Sequence, residues 1–202
     1  MSWRTSALVA IAVSIASLVS SSDAQSVISG PVQSPVNGHF YSVLSNSNWS
    51  NAQNASQSMG GFLATVRSAP EQLWINQTFS AYPYLWLGLY DPSQQIVGGQ
   101  DHANTFKWVN GETASYRNWG NGEPNNFNGG EYWTELVLTN ASTVAAGTWN
   151  DIYNDANPIH SPDSYGPVYG LAEVAPEPSS MAILALGLLL GLCRLKKKVT
   201  ET

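Results

Sequence analysis

The sequence predicts an α+β domain in which two helices pack beside a small antiparallel sheet with long irregular loops. Three observations predict it. Two stretches in the first half carry helix-start chemistry; several short aromatic or β-branched runs follow, separated by Gly, Asn and Pro turns; and the pattern-poor region from Tyr90 to Thr148 still holds Trp108, Trp119, Phe127 and Trp133. Aromatic residues at that density describe packed loops rather than disorder.

Taken in order, residues 25–36 are uncharged, rich in Ser, Pro and Val, and read as a linker ahead of a domain over 37–175. NSNWSNAQNASQSMGG then sets Trp49, Ala52, Ala55 and Met59 on one helical face, with Asn48 as N-cap and Gly60-Gly61 as the stop. FLATV reads as a strand. Ser68-Ala69-Pro70-Glu71 opens the second helix: the serine caps, the glutamate three positions on reaches back, and proline sits in the first turn where it removes no hydrogen bond. Leu73, Trp74 and Phe79 would form its apolar face. YLWLGLY, FKWV, EYWTELVL, GTWN and VYGLAEV are the remaining strand candidates, with Trp86, Trp108 and Trp149 inside them as core residues.

Both ends read as processing segments. Residues 1–24 combine Arg4, a 13-residue apolar run and small residues up to Ala24, the pattern of a cleaved export signal. At the other end, Pro176-Glu177-Pro178 precedes an apolar run over 181–193 and the basic cluster Arg194, Lys196, Lys197 and Lys198. Residues 176–202 thereby resemble the bacterial PEP-CTERM sorting signal. That resemblance implies a short transient anchor in the inner membrane, recognition and removal by an exosortase-type enzyme, and delivery to the cell surface or release.

The net charge of −6, with only 11% charged residues, excludes a nucleic-acid partner, because phosphate binding needs clustered basic residues and the interior of the chain has none. Its single cysteine, Cys193, falls in the tail, so the domain folds without a disulfide. His39, His102 and His160 are scattered and form no zinc or catalytic motif.

The chemistry concentrates in GEPNNFNGGE and in WND. Glu123 and Asn125 flank Pro124, Glu131 follows eight residues after Glu123, and Asn150-Asp151 closes GTWND. These residues offer three carboxylates and two amide carbonyls, an all-oxygen set of the kind a hard cation such as Ca²⁺ takes at about 2.3–2.6 Å. Without a cation, three crowded carboxylates would repel one another. A cis bond at Pro124 would turn Glu123 and Asn125 to the same side. Each would then keep a free acceptor or donor for a vicinal diol whose oxygens also reach the ion.

WLGLYD, FKWVNGETASYRNWGNGEPNN, GGE and WND, in that order, resemble the C-type lectin-like domain over His39 to Val174. The resemblance implies that Glu123, Asn125, Glu131, Asn150 and Asp151 bind both calcium and sugar, with EPN favouring mannose-type ligands. It also implies four cysteines where this chain has Met59, Trp133, Asn154 and Ala172, so the calcium loops lose a covalent staple and are expected to be loose without the ion. An auxiliary calcium site is not expected, since Asn126 and Tyr132 stand where it would need acids; the stretch from Ile152 to Val168 is longer than usual.

Two other classes compete. A glycoside hydrolase would use Glu123 and Glu131 as acid and base, but that requires one carboxyl held protonated by an apolar setting, and the surrounding Asn and Gly do not supply one. A metal-independent protein-binding or envelope module on the same fold fits the missing disulfides. Trp119 and Phe127, which flank the acidic loop, could equally pack or touch a ligand. Coordinates with Asp151 far removed from Glu131, or with either one turned inward and already engaged with other protein atoms, would end the calcium reading.

Overall fold

The computed structural model describes residues 25–94, 103–140, 142–155 and 166–177. The expected export signal over 1–24, the apolar run over 181–193, His102 and His160 lie outside the described residues. In chain order the elements are β1 (Val27–Gln33), β2 (Phe40–Asn46), α1 (Trp49–Ser58), β3 (Phe62–Leu63), α2 (Ala69–Thr78), β4 (Tyr84–Tyr90), β5 (Lys107–Trp108), β6 (Trp133–Val137), β7 (Trp149–Ile152) and β8 (Val168–Val174).

One eight-stranded sheet runs β1-β2-β8-β4-β6-β7, with β3 on β8 and β5 on β4. It is larger than the sequence suggests, and mixed: β4 and β8 pair in parallel, while the other pairs are antiparallel. A parallel pair needs a long return path, and the chain from β4 to β8 provides it through β5, β6 and β7. β4 lies at the centre, buried on both faces. Leu85, Leu87 and Leu89 enter one apolar cluster with Tyr41, Ile75, Phe79 and Trp149. Tyr84 and Trp86 enter the other with Trp49, Leu63 and Ile152. Burial on both sides explains why YLWLGLY is continuously apolar.

The stretch expected to be a linker is part of this sheet. β1 pairs with β2 and is almost wholly exposed, and the cis Gly30–Pro31 bond lies within it. Proline is tolerated there because an edge strand has one side without ladder bonds, and exposure removes the alternation that would have revealed the strand.

Helix α1 starts where predicted: Asn51 N–H donates to Asn48 Oδ1 at 2.7 Å. Its buried face differs. Trp49 and Ala52 are buried as expected, but Gln53 and Ser56 accompany them instead of Ala55 and Met59. Each polar side chain is used: Gln53 Oε1 accepts from Leu63 N–H at 2.9 Å and Ser56 Oγ–H donates to Ala52 O at 2.8 Å. Helix α2 shows the same substitution. Leu73 is 57% exposed, whereas Glu71, Gln72 and Ile75 are buried. Ser68 Oγ accepts from Glu71 N–H as the capping pattern requires, but the glutamate reaches back to Arg67 N–H rather than to the serine. From there Glu71 also receives Tyr41 O–H at 2.7 Å, and burial, then the nearby Glu173 and Glu71 charges, raise the Tyr41 phenol so that it stays a donor.

At the positions where cysteines were implied, Ala172 is buried and Met59 and Trp133 are partly buried. Asn154 does more. Its Oδ1 accepts from Ser50 N–H and Ser50 O–H, and its carbonyl accepts from Trp49 N–H at 3.0 Å. The segment leaving β7 is thus tied to the first turn of α1 by hydrogen bonds that satisfy otherwise orphaned helix donors. Asn154→Ala should cost about 1 kcal/mol of stability, read as a lower urea midpoint; an unchanged midpoint would show that the tie contributes nothing.

Candidate functional site

The chain before the acidic loop is pinned to the start of β7. Trp149 N–H donates to Asn118 O and Gly120 N–H donates to Trp149 O, each at 2.8 Å, forming a parallel bridge between Trp119 and Trp149. Because residues 118–120 are held there, Asn125 and Asn126 arrive beside Asp151. Asn126 and Asn128 adopt positive φ values of 49° and 54°, the left-handed region in which Asn is enriched, so the Asn-rich composition serves the turn as well as the chemistry.

The Glu123–Pro124 bond is cis, and the side chains on either side of it meet: Asn125 Nδ2–H donates to Glu123 Oε1 at 3.0 Å. A carboxylate is acceptor-only, which fixes the orientation of the carboxamide. Asn125 Oδ1 is then buried with no hydrogen-bond donor. Asp151 reaches the same loop from β7. Its Oδ1 accepts from Asn125 N–H at 2.9 Å and its Oδ2 from Asn126 N–H at 2.8 Å. Glu131 closes the turn from the other side, its Oε2 accepting from Phe127 N–H at 2.8 Å while its own N–H donates to Asn126 Oδ1 at 3.1 Å.

Four of the five predicted residues are therefore joined through one hydrogen-bonded loop. Asn150 comes in differently. Its carboxamide Nδ2–H donates to Glu135 Oε1 at 3.2 Å, and its Oδ1 is likewise buried with no donor. The expected crowding of three carboxylates is not what the fold builds: among the described residues no three Asp, Glu, His or Cys side chains gather in a metal-binding group. Asp151 and Glu131 spend part of their charge on backbone N–H groups. Both are thus engaged with protein atoms, against the expectation of the calcium reading, but those atoms belong to the loop that carries Glu123 and Asn125 rather than to the core.

Glu135 is the residue that sequence reasoning missed. It is fully buried on β6, directly opposite Asn150 on β7 and opposite Trp86 on β4. A glutamate flanked by Thr134 and Leu136 within a strand run, where an apolar residue is expected, was the available signal.

The aromatic pair at the loop separates. Trp119 packs edge-on against Phe106 and Trp149 and belongs to the core margin, whereas Phe127 is 42% exposed. Tyr153 covers the turn, its O–H donating to Phe127 O at 3.3 Å, and a Cβ at Gly130 would lie 2.2 Å from its ring. Partial desolvation, followed by the Glu131 charge, raises the Tyr153 phenol and keeps that donor protonated. Asp151→Asn would set an NH2 against one of the two loop N–H groups it now accepts. The expected result is a loss of about 1–3 kcal/mol and faster hydrogen exchange at Asn125 and Asn126, measured by NMR; unchanged exchange would refute these contacts.

Known proteins resemble this chain in sequence and in fold. The Lectin C-type domain family profile matches residues 45–157, and the PEP-CTERM protein-sorting motif matches 174–198. A perlucin-like protein of Mytilus galloprovincialis is 30% identical over 125 residues, covering 57% of this chain and 68% of that protein. The lectin BRA-3 of Megabalanus rosa is 32% identical over 105 residues, covering 51% and 56%. CD209 antigen-like protein A of Mus musculus is 34% identical over 91 residues, covering 44% of this chain and only 34% of that protein. Among solved structures, the C-type lectin CEL-I of Cucumaria echinata superposes with a TM-score of 0.52 at 22% identity, covering 69% of this chain and 91% of that one. A calcium-independent type II antifreeze protein does so with 0.52 at 16% identity, covering 74% and 96%. Identities this low show the fold alone. The family profile over more than half of the chain, on a two-helix domain whose EPN loop and WND strand meet, shows that this chain belongs to the C-type lectin domain family and carries a PEP-CTERM sorting motif at its C-terminal end.

Proposed function

We propose that the domain binds carbohydrate through a calcium ion held by Glu123, Asn125, Glu131, Asn150 and Asp151, and that it prefers mannose-type ligands. One observation carries this reading: two carboxamide oxygens, that of Asn125 in the acidic loop and that of Asn150 next to the Asp151 that holds the loop, are buried with no donor. A buried carbonyl oxygen left without a partner costs about 1–3 kcal/mol, and a hard cation removes that cost. The two oxygens also explain how a site without a cluster of acids can suit Ca²⁺, since amide carbonyls take the places that further carboxylates would fill.

When bound, the ion would take one lone pair from each of two adjacent sugar hydroxyls. The chain's own groups complete the recognition. Glu123 offers an acceptor, and the second N–H of Asn125, beyond the one given to Glu123, is a donor. Phe127, exposed at the rim, adds an apolar surface for ring C–H groups. A contact this shallow gives weak single-site affinity, so useful strength requires clustering on a surface. The sorting motif suits that arrangement: an exosortase-type enzyme would remove the tail after transient anchoring through 181–193 and leave the domain exported, on the cell surface or released.

The competing reading is a protein-binding or envelope module with no metal dependence. It draws support from the engagement of Asp151 and Glu131 with backbone N–H groups, and from the antifreeze relative's fold.

Calorimetric titration of the full chain in mild detergent with CaCl2 separates the two. Saturable binding is expected, and Glu123→Ala combined with Asn125→Ala should abolish it; a wild-type chain indifferent to calcium rejects the proposal in favour of the protein-binding module. Retention on mannose resin should exceed retention on galactose resin and vanish in EDTA. Stronger galactose retention would reject the mannose preference.

A further inference from the structure

A fully buried glutamate in mid-strand needs a physical reason. Glu135 lies on β6 between Trp86 on one neighbouring strand and Asn150 on the other, at a position whose flanking face is otherwise apolar. Removing a carboxylate from water costs several kcal/mol unless its oxygens find donors, and an aliphatic residue would fill the space without that cost. The Asn150 side chain supplies a donor, through Nδ2–H to Oε1.

That bond decides which way the carboxamide points. Asn150 is 1% exposed and has two ends, one donating and one accepting. Because the carboxylate only accepts, the NH2 end must face Glu135, and Oδ1 must face away with no donor of its own. Rotated by half a turn, Asn150 would press its oxygen against Glu135 and present N–H groups instead, which repel a cation. The side chain is thereby poled in the direction a cation requires.

We propose that Glu135 is a positioning residue of the calcium site, fixing Asn150 so that Oδ1 is available to the ion. This rests on the calcium reading given above. Glu135 acts before the ion arrives, so the orientation is present in the calcium-free chain and its reorganisation cost is not charged to binding. It is the fourth acidic residue tied to the site, and the one that the EPN and WND segments do not contain.

The test uses the full chain with four variants: Glu135→Ala, Glu135→Gln, Asn150→Ala, and Glu135→Ala with Asn150→Ala. In EDTA, NMR of the Asn150 side-chain amide should show a protected N–H pair in the wild type that exchanges faster in Glu135→Ala. By calorimetry, Glu135→Ala should weaken CaCl2 binding by on the order of 10–100-fold, as for outer partners of metal ligands generally. Glu135→Gln, which can still present an acceptor but can also flip, should fall between. The double variant should bind no more weakly than Asn150→Ala alone, because Glu135 acts through that side chain.

A Glu135→Ala chain with lowered thermal stability but unchanged calcium affinity would overturn the proposal, and so would additive losses in the double variant. If Glu135→Ala does not fold, unchanged affinity in Glu135→Gln together with an unaltered Asn150 amide does the same. No calcium binding by the wild type would overturn this inference along with the function proposed above, whereas wild-type binding with insensitive Glu135 variants would overturn this inference alone.

Discussion

Trp149 decides where β7 meets β6, and the acidic site depends on that register. Its indole is fully buried and donates Nε1–H to Gln72 Oε1 at 2.7 Å on α2, while Trp108, Tyr116 and Trp119 surround it edge-on. Held there, β7 sets Asn150 opposite Glu135 and Asp151 opposite Thr134. A slip of one residue would exchange the two faces, carrying Asp151 away from the loop N–H groups and Asn150 away from its glutamate. One aromatic side chain on a helix-anchored hydrogen bond thus sets the placement of two candidate ligands.

A second constraint compensates for the missing covalent cross-links. Arg67 pairs with Glu71, Glu112 and Glu173, and Glu173 also meets His39 and accepts from Thr65 N–H. These contacts join the entry of α2, the start of β2, the end of β8 and the loop after β5. A network whose members satisfy one another rigidifies a core more than isolated surface pairs do. Together with the Asn154 tie it links by hydrogen bonds elements that are far apart in sequence. With few charges in the chain, several are concentrated here and in the acidic loop.

Much of the fold was legible because its signals are local. Caps at Asn48 and Ser68, the glycine stop after α1 and the apolar run of β4 depend on neighbouring residues and were readable from them. Helix faces were less so: Gln53, Glu71 and Gln72 are buried because partners distant in sequence accept or donate to them, and hydropathy alone assigned Leu73 to the interior instead. β1 was hidden by its exposure and its proline. In the site, the EPN and WND segments announce themselves by residue type, whereas Glu135 gives only the weaker signal of a charge within a strand run, which looks like a solvent-facing residue until the register shows what it faces. The engagement of Asp151 and Glu131 with the loop backbone was equally invisible, being a property of the turn's three-dimensional path.

The position of β8 has a consequence for how the molecule is made. This strand touches β2, β3 and β4, yet it is the last of the described strands in chain order and runs straight into the segment matched by the sorting motif, which begins at Val174. The two halves of the sheet cannot be bridged until β8 is in place, so completion of the lectin domain waits on the segment that leads directly into its own address label. A protease cutting a few residues upstream of that label would extract the middle of the sheet, while one cutting after Glu177 would leave every described strand in place.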